Sequence, residues 1–243
     1  MTDFLPITKI PRTGLPAHAL VVGDPDRASA VAELLDGAAL IGQNREYRTF
    51  AGTWRGVPVV VSSHGVGGAG AVCQFAELAE AGVHTFVRFG TAGALRADIA
   101  DGDLVVAEAA VRDDGVTQQL IHPEFPAYAT PEAVLALAGA AAAHGLRAHR
   151  GVVWTRAAFS PMVLRLPVAD YVAARVIAIE MELSTLLVFA ALRGLRAGGV
   201  LVIDGNAAVD NDNPTGYNPH RQVVTDAVAA GSRAALDALV ELT

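Results

Sequence analysis

The chain has 243 residues, of which 52% are hydrophobic and only 18% charged, and its formal net charge is −7. This length and apolar content suit one large α/β domain, or two small ones, with a sizeable buried core, and they exclude a disordered chain. The acidic balance argues against nucleic acid as a partner, so any phosphate handled here needs a local pocket of arginines inside an acidic molecule.

A single cysteine, Cys73, excludes an internal disulfide framework and fits a reducing, cytoplasmic setting. Met1 to Pro11 mixes Asp3, Lys9 and prolines without an apolar core, so no signal peptide is expected. The longest apolar stretches, Ala133–Ala143 and Leu186–Leu192, are too short to span a bilayer.

In chain order, short β-branched runs alternate with Ala- and Leu-rich helical patterns. Strand Ala19–Val22 leads through Gly23-Asp24-Pro25 into helix Ala28–Leu35. Strand Val57–Ser62 leads through the glycine-rich turn 63–68 into helix Ala69–Ala81. Strand Thr85–Phe89 is expected to end in a Gly90-Thr91-Ala92-Gly93 turn. Strand Asp103–Val111 precedes helix Pro131–His144, followed by strands Arg150–Trp154 and Val176–Ile179. Helix Leu183–Leu192, strand Val200–Ile203 and helix Thr225–Leu242 complete the series. Asp210–Pro219, rich in Asn, Asp and Pro, reads as a long surface loop of the kind that borders sites. Almost wholly apolar strands are expected where helices cover both sheet faces. The fold class that follows is a single-domain, three-layer α/β/α sandwich with a central mixed sheet.

Ligands of open α/β sheets bind beyond the carboxyl ends of the strands. Here those ends gather Gly23 to Arg27, Ser63 to Gly68, Arg88 to Gly93, Glu180 to Glu182 and Asp204 to Asn206. Arg88 interrupts an apolar strand, and a buried unpaired guanidinium costs several kcal/mol, so it must meet an anion. That anion is either an internal carboxylate or a phosphate gripped with help from Thr91 and glycine-exposed N–H groups. Arg27 opens a helix, where the dipole favours an anion, although such a position is also commonly surface. Gly65 to Gly70 matches G-x-G-x-x-G between a strand and a helix. The next strand carries no acid for a ribose hydroxyl, which weakens a dinucleotide reading and leaves an NADP-linked reductase as a remote alternative. Glu180-Met181-Glu182 suits a ribose diol covered by a thioether, or simply a helix N-terminus with dipole-favoured acids. Asp204 ends a very apolar strand, where desolvation should raise its pKa and fit it to act as an acid toward a ring nitrogen. The alternative is an Asx turn with Gly205.

The motifs VVGDPDRA, NREY, SSHGVGGAG, VRFGTAGAL, IEMELSTL and GGVLVIDGN, in this order across residues 21–206, resemble the hexameric class of nucleoside phosphorylases. That class includes bacterial purine nucleoside and uridine phosphorylases, and DNDNPTGYNPH further resembles a loop of apicomplexan purine nucleoside phosphorylases. The resemblance implies phosphorolysis of a nucleoside to a free base and (deoxy)ribose 1-phosphate, without metal or organic cofactor. It implies that Gly23, Arg27, Arg88 and Thr91 bind phosphate, and that Arg45 reaches the phosphate of a neighbouring subunit. The expected assembly is therefore a homo-oligomer with shared sites, a dimer as minimal unit and a hexamer in full. Met181 and Glu182 match the ribose site, Glu182 holding the 2′- and 3′-hydroxyls. Phe159 matches an aromatic that stacks on base or sugar, and Asp204 the acid that hydrogen-bonds or protonates N7 of a purine. Ala92, Gly93, Glu180 and Arg165 complete the expected base site, with His64 a candidate ribose contact or a structural residue.

Two departures follow. Phe4-Leu5-Pro6-Ile7 lacks the histidine that commonly binds the ribose 5′-hydroxyl in the family, which opens the site to 5′-modified nucleosides. In the segment after Phe159, Arg165 is kept but Val163 occupies the position of a glutamine that reads uracil. Losing that amide should cost about 1–3 kcal/mol of uracil recognition, which tilts the expectation toward purines over uridine.

Overall fold

A computed structural model describes residues 3–160, 163–208 and 218–242. The elements run β1 (His18–Val22), α1 (Pro25–Ala32), β2 (Asp36–Asn44), β3 (Tyr47–Trp54), β4 (Val57–Ser63), α2 (Gly68–Glu80) and β5 (Thr85–Ala94). They continue with β6 (Leu104–Asp113), β7 (Ala127–Tyr128), α3 (Pro131–Ala143), β8 (Ala148–Arg156) and α4 (Val168–Ala173). Then follow β9 (Ala178–Glu180), α5 (Leu183–Leu192), β10 (Arg196–Asn206) and α6 (Gln222–Glu241). Most of the expected surface loop, from residue 210 to residue 217, lies outside the described residues.

The strands join one mixed sheet in the order β10-β6-β8-β9-β5-β1-β4-β3-β2, and β5 pairs in addition with β10. Strands β5, β10, β6, β8 and β9 thereby close into a ring, while β1, β4, β3 and β2 extend from β5 as an open wing. The expected central mixed sheet is present, with α2 packed on α5 and α3 packed on α6. Two glycines of β10 show why both faces can be covered. A Cβ on Gly198 would stand 2.8 Å from Ala133 Cβ of α3, and one on the next residue, Gly199, would stand 2.5 Å from Leu183 Cδ1 of α5. Successive strand residues point to opposite faces, so one glycine lets in each helix.

Two expectations are corrected. Gly90-Thr91-Ala92-Gly93 is not a turn; β5 continues through it to Ala94, because β10 supplies a parallel ladder from Val200↔Phe89 to Asn206↔Ala94. The β2–β3 hairpin has no counterpart among the expected strands. β2 is mostly exposed and rich in small residues, so it carries no two-residue alternation. It is held instead by its antiparallel ladder to β3, which pairs in turn with β4.

Gly198→Ala should destabilise the chain by about 1–3 kcal/mol, since the rigid Cβ of Ala133 must give way to overpacking. A matched pair of thermal or urea unfolding curves checks this.

Candidate active site

Pairing between β1 and β5 ends at Val21↔Arg88, after which β5 stays with β10 while the chain of β1 turns off at Gly23. The split leaves a cavity of about 660 Å³ at the strand ends. At one side stands the start of α1, where Pro25 occupies the first turn and Asp24 caps the helix by accepting from the Asp26 N–H at 2.8 Å. Arg27, one turn in, lies on the cavity wall beside Gly23, Arg88 and Thr91.

Arg88 is 3% exposed. Its Nη2 donates to Glu182, while Nη1 stands 3.3 Å from Glu180 Oε2 without the alignment of a hydrogen bond. Nε and Nη1 find no hydrogen-bond acceptor among the described residues. The guanidinium folds back over Gly90, where a Cβ would lie 2.9 Å from Arg88 Cζ and overlap Nη1. Only a residue without a side chain leaves that room. Burial opposes the charge of Arg88, but Glu182 and Glu180 outweigh burial and raise its pKa.

Glu182 accepts from the Gly67 N–H at 2.5 Å. Gly67 adopts φ 91°, a conformation open to glycine. The G-x-G-x-x-G turn therefore presents its N–H to an internal carboxylate, where a dinucleotide fold would present it to a pyrophosphate. Burial works against ionisation of Glu182, yet Arg88, His64 and the Gly67 N–H together hold its pKa below the usual carboxylate range. Glu180 is pushed the other way, with burial as the largest cause. Its oxygens accept from the N–H groups of Glu182 at 2.9 Å and Leu183 at 2.9 and 3.0 Å, and from the Thr155 hydroxyl. Glu180 thus ties down the start of α5 and sets the backbone of Met181 and Glu182.

Asp204 does not end its strand. It is the residue at which the β10–β5 register slips, between Ile203↔Ala92 and Gly205↔Gly93. A bulge of this kind re-aims a side chain, and Asp204 lies on the cavity wall while only 3% exposed. Arg221 braces the bulge by donating to the Asp204 carbonyl at 2.8 Å and pairing with Asp101. The Arg88 guanidinium sits at the level of Gly90 and Asp204 at the level of Ala92 to Gly93. Along the strand the two are separated by about 7–10 Å. The same cavity is lined by the apolar residues Phe159, Leu166, Val168 and Ile179.

The cavity gathers Gly23, Arg27, Arg88, Thr91, Ala92, Gly93, Phe159, Glu180, Met181, Glu182 and Asp204, all named from the sequence. Three others stand apart from its wall. Arg45 is exposed at the tip of the β2–β3 hairpin with φ 52°. Arg165 is exposed beyond the wall. His64 is fully buried beneath it, with Nδ1 2.8 Å from the Gly65 carbonyl and its ring edge-on to Phe75. Sequence reasoning missed Arg156 and Glu46, which both line the cavity. Arg156 ends β8, and the rule that strand ends carry the site could have found it. Glu46 comes in through tertiary contact alone, its Cγ lying 2.6 Å from where a Cβ of Gly65 would be. Among the described residues no three metal-ligating side chains converge, and no helix is long and apolar enough to cross a membrane.

A family profile described as the phosphorylase superfamily matches residues 17–241. A uridine phosphorylase of Thermococcus kodakarensis is 37% identical over 223 residues, covering 87% of this chain and 80% of the relative. A guanosine phosphorylase of Halorubrum lacusprofundi is 37% identical over 193 residues, covering 79% and 80% respectively. The crystal structure of purine nucleoside phosphorylase from Toxoplasma gondii in complex with immucillin-H superposes with a TM-score of 0.92 at 28% identity, covering 100% of this chain and 97% of that one.

Two outcomes follow from the geometry. Gly90→Ala should leave the fold intact, because the overlapping atoms are the far end of a flexible side chain, but displace the Arg88 guanidinium. With Arg88 a phosphate ligand, as the sequence resemblance implies, titration calorimetry should then show orthophosphate binding weakened at least about 10-fold, the loss of a charge-assisted hydrogen bond. Burial lowers His64 from its ordinary 6.5 to about 4, so the native state keeps it neutral where the unfolded chain takes a proton. The stability linked to this is complete above pH 6.5 and is lost as pH falls toward 4, by up to about 3 kcal/mol. His64→Gln should flatten the slope of denaturation free energy across that window.

Proposed function

This chain belongs to the phosphorylase superfamily and acts as a nucleoside phosphorylase, and we propose that purine nucleosides are its preferred substrates. The observation that carries the preference is the bulge that puts Asp204 on the cavity wall, two to three residues along β5 from the level of the Arg88 guanidinium. A buried carboxyl there is suited to hold or supply the proton on N7 of a departing purine. The exposure of Val163 and Arg165, off the cavity wall, agrees with this reading, since the stretch expected to read uracil offers the base no donors.

In the reaction, phosphate sits beneath C1′ against Arg27, Arg88 and Thr91. The C1′–N9 bond stretches and its electron pair leaves with the base, so the sugar approaches an oxocarbenium ion of the kind glycosidases stabilise. Phosphate supplies opposite charge and then the oxygen that bonds to C1′. Asp204 makes the base a better leaving group by protonating or hydrogen-bonding N7. Glu182 holds the 2′- and 3′-hydroxyls, and Met181 covers the sugar. Positioning and electrostatics carry most of the rate. Arg45, exposed on its hairpin, completes the phosphate site of an adjoining protomer, so the working unit is at least a dimer, with a hexamer as the full assembly. The reaction needs no cofactor beyond phosphate as co-substrate, and the setting is the cytoplasm.

The test is kcat/KM for inosine and uridine with phosphate. Inosine should be favoured, and base release from uridine alone would overturn the preference. Asp204→Asn should lower kcat on inosine by about 100-fold or more. The same variant should lose far less on 7-methylinosine, whose base already carries the positive charge that protonation would supply.

A further inference from the structure

Arg156 is the cavity cation for which the phosphorolysis just described has no use. It ends β8, one residue past Thr155, which pairs with Glu180 of β9. Its side chain is 17% exposed, and its guanidinium lies 5.5 Å from the centre of the Trp154 ring. Nε donates to the Ala158 carbonyl at 2.8 Å and so fixes the residues that lead to Phe159. Nη1 stands 3.6 Å from Asp113 Oδ2, too far for a hydrogen bond, and Asp113 is itself 46% exposed and accepts from Trp154 Nε1. Nη2 has no acceptor among the described residues. The group is therefore a cation with one anchored nitrogen and two donor nitrogens left for whatever fills the cavity.

Its place decides what that is. β9 lies between β8 and β5 in the sheet, and the registers set Arg156 level with Thr91, roughly 10 Å away across two strands; Arg88 lies three residues further along β5, so the two guanidinium groups do not share an anion. Ala158, Phe159, Leu166 and Ile179 line the cavity with it, a surface that suits a flat ring. Guanidinium N–H groups are donors only and need an acceptor once a ligand displaces water. We infer that Arg156 reads a carbonyl oxygen on the edge of the base, so that the site selects 6-oxopurine nucleosides over 6-aminopurine nucleosides. The 6-amino group would set donor against donor and leave the Nη groups without an acceptor. This inference rests on the cavity being a nucleoside site, and its test separates the two.

The experiment is phosphorolysis of inosine and adenosine by the wild type and by Arg156→Met. The wild type should favour inosine by about 10-fold or more in kcat/KM, and Arg156→Met should cut the inosine-to-adenosine ratio by about 10- to 100-fold, mainly through the KM for inosine. A fall in both nucleosides alike, or a wild type without preference, overturns the assignment. Should Arg156→Met not fold, Arg156→Lys keeps the charge but not the fork: a ratio lowered several-fold upholds the assignment, and an unchanged ratio overturns it. A wild type inactive on both nucleosides with phosphate would overturn the underlying reading of the cavity, and this one with it.

Discussion

A guanidinium placed inside an apolar sheet can persist only if the surrounding chain is built to receive it, and Arg88 organises this molecule in that sense. Its charge is matched by Glu182 and approached by Glu180. Glu182 is held by the backbone N–H of Gly67, and Glu180 by the first N–H groups of α5. Room for the guanidinium exists because Gly90 has no side chain. Each of these partners comes from a different element: β5, the turn before α2, β9 and the start of α5. The ion cluster therefore ties both sides of the cavity to one another. Among the described residues, two nitrogens of Arg88 also find no acceptor, a costly condition in a buried site.

The sheet supplies the second half of the arrangement. Because β5 pairs with β1 only as far as Arg88 but with β10 as far as Ala94, the cavity opens where one neighbour leaves and the other stays. The staying neighbour carries the bulge at Asp204, so acid and guanidinium face one space from adjacent strands. Backbone pairing sets their separation, and side-chain flexibility has little part in it. A rigid scaffold of that kind is what catalysis by positioning and electrostatics requires.

Much of this was legible in the residues alone. Apolar β-branched runs marked most of the strands, Leu183–Leu192 was bounded as a helix by its own composition, and the glycine- and charge-rich segments after the strands marked the site. These features are local, in that hydrophobic periodicity and the cost of burying a charge act on neighbours in sequence. The glycine turn before α2 was read less well, because its pattern tells that a backbone N–H is accessible and does not tell which anion takes it.

What the sequence determined by itself was the family, the alternating α/β order and most of the residues that line the cavity, since each is written in residue types at fixed spacings. Only the tertiary structure decided that Gly90 to Gly93 is strand, that Asp204 sits on a bulge, that Glu182 accepts from the glycine turn, and that Arg156 and Glu46 reach the cavity while Arg45 and Arg165 do not. Each of those outcomes depends on a partner far away in the chain. A hydrogen-bond ladder or an ion pair between distant residues leaves no period in the sequence of either.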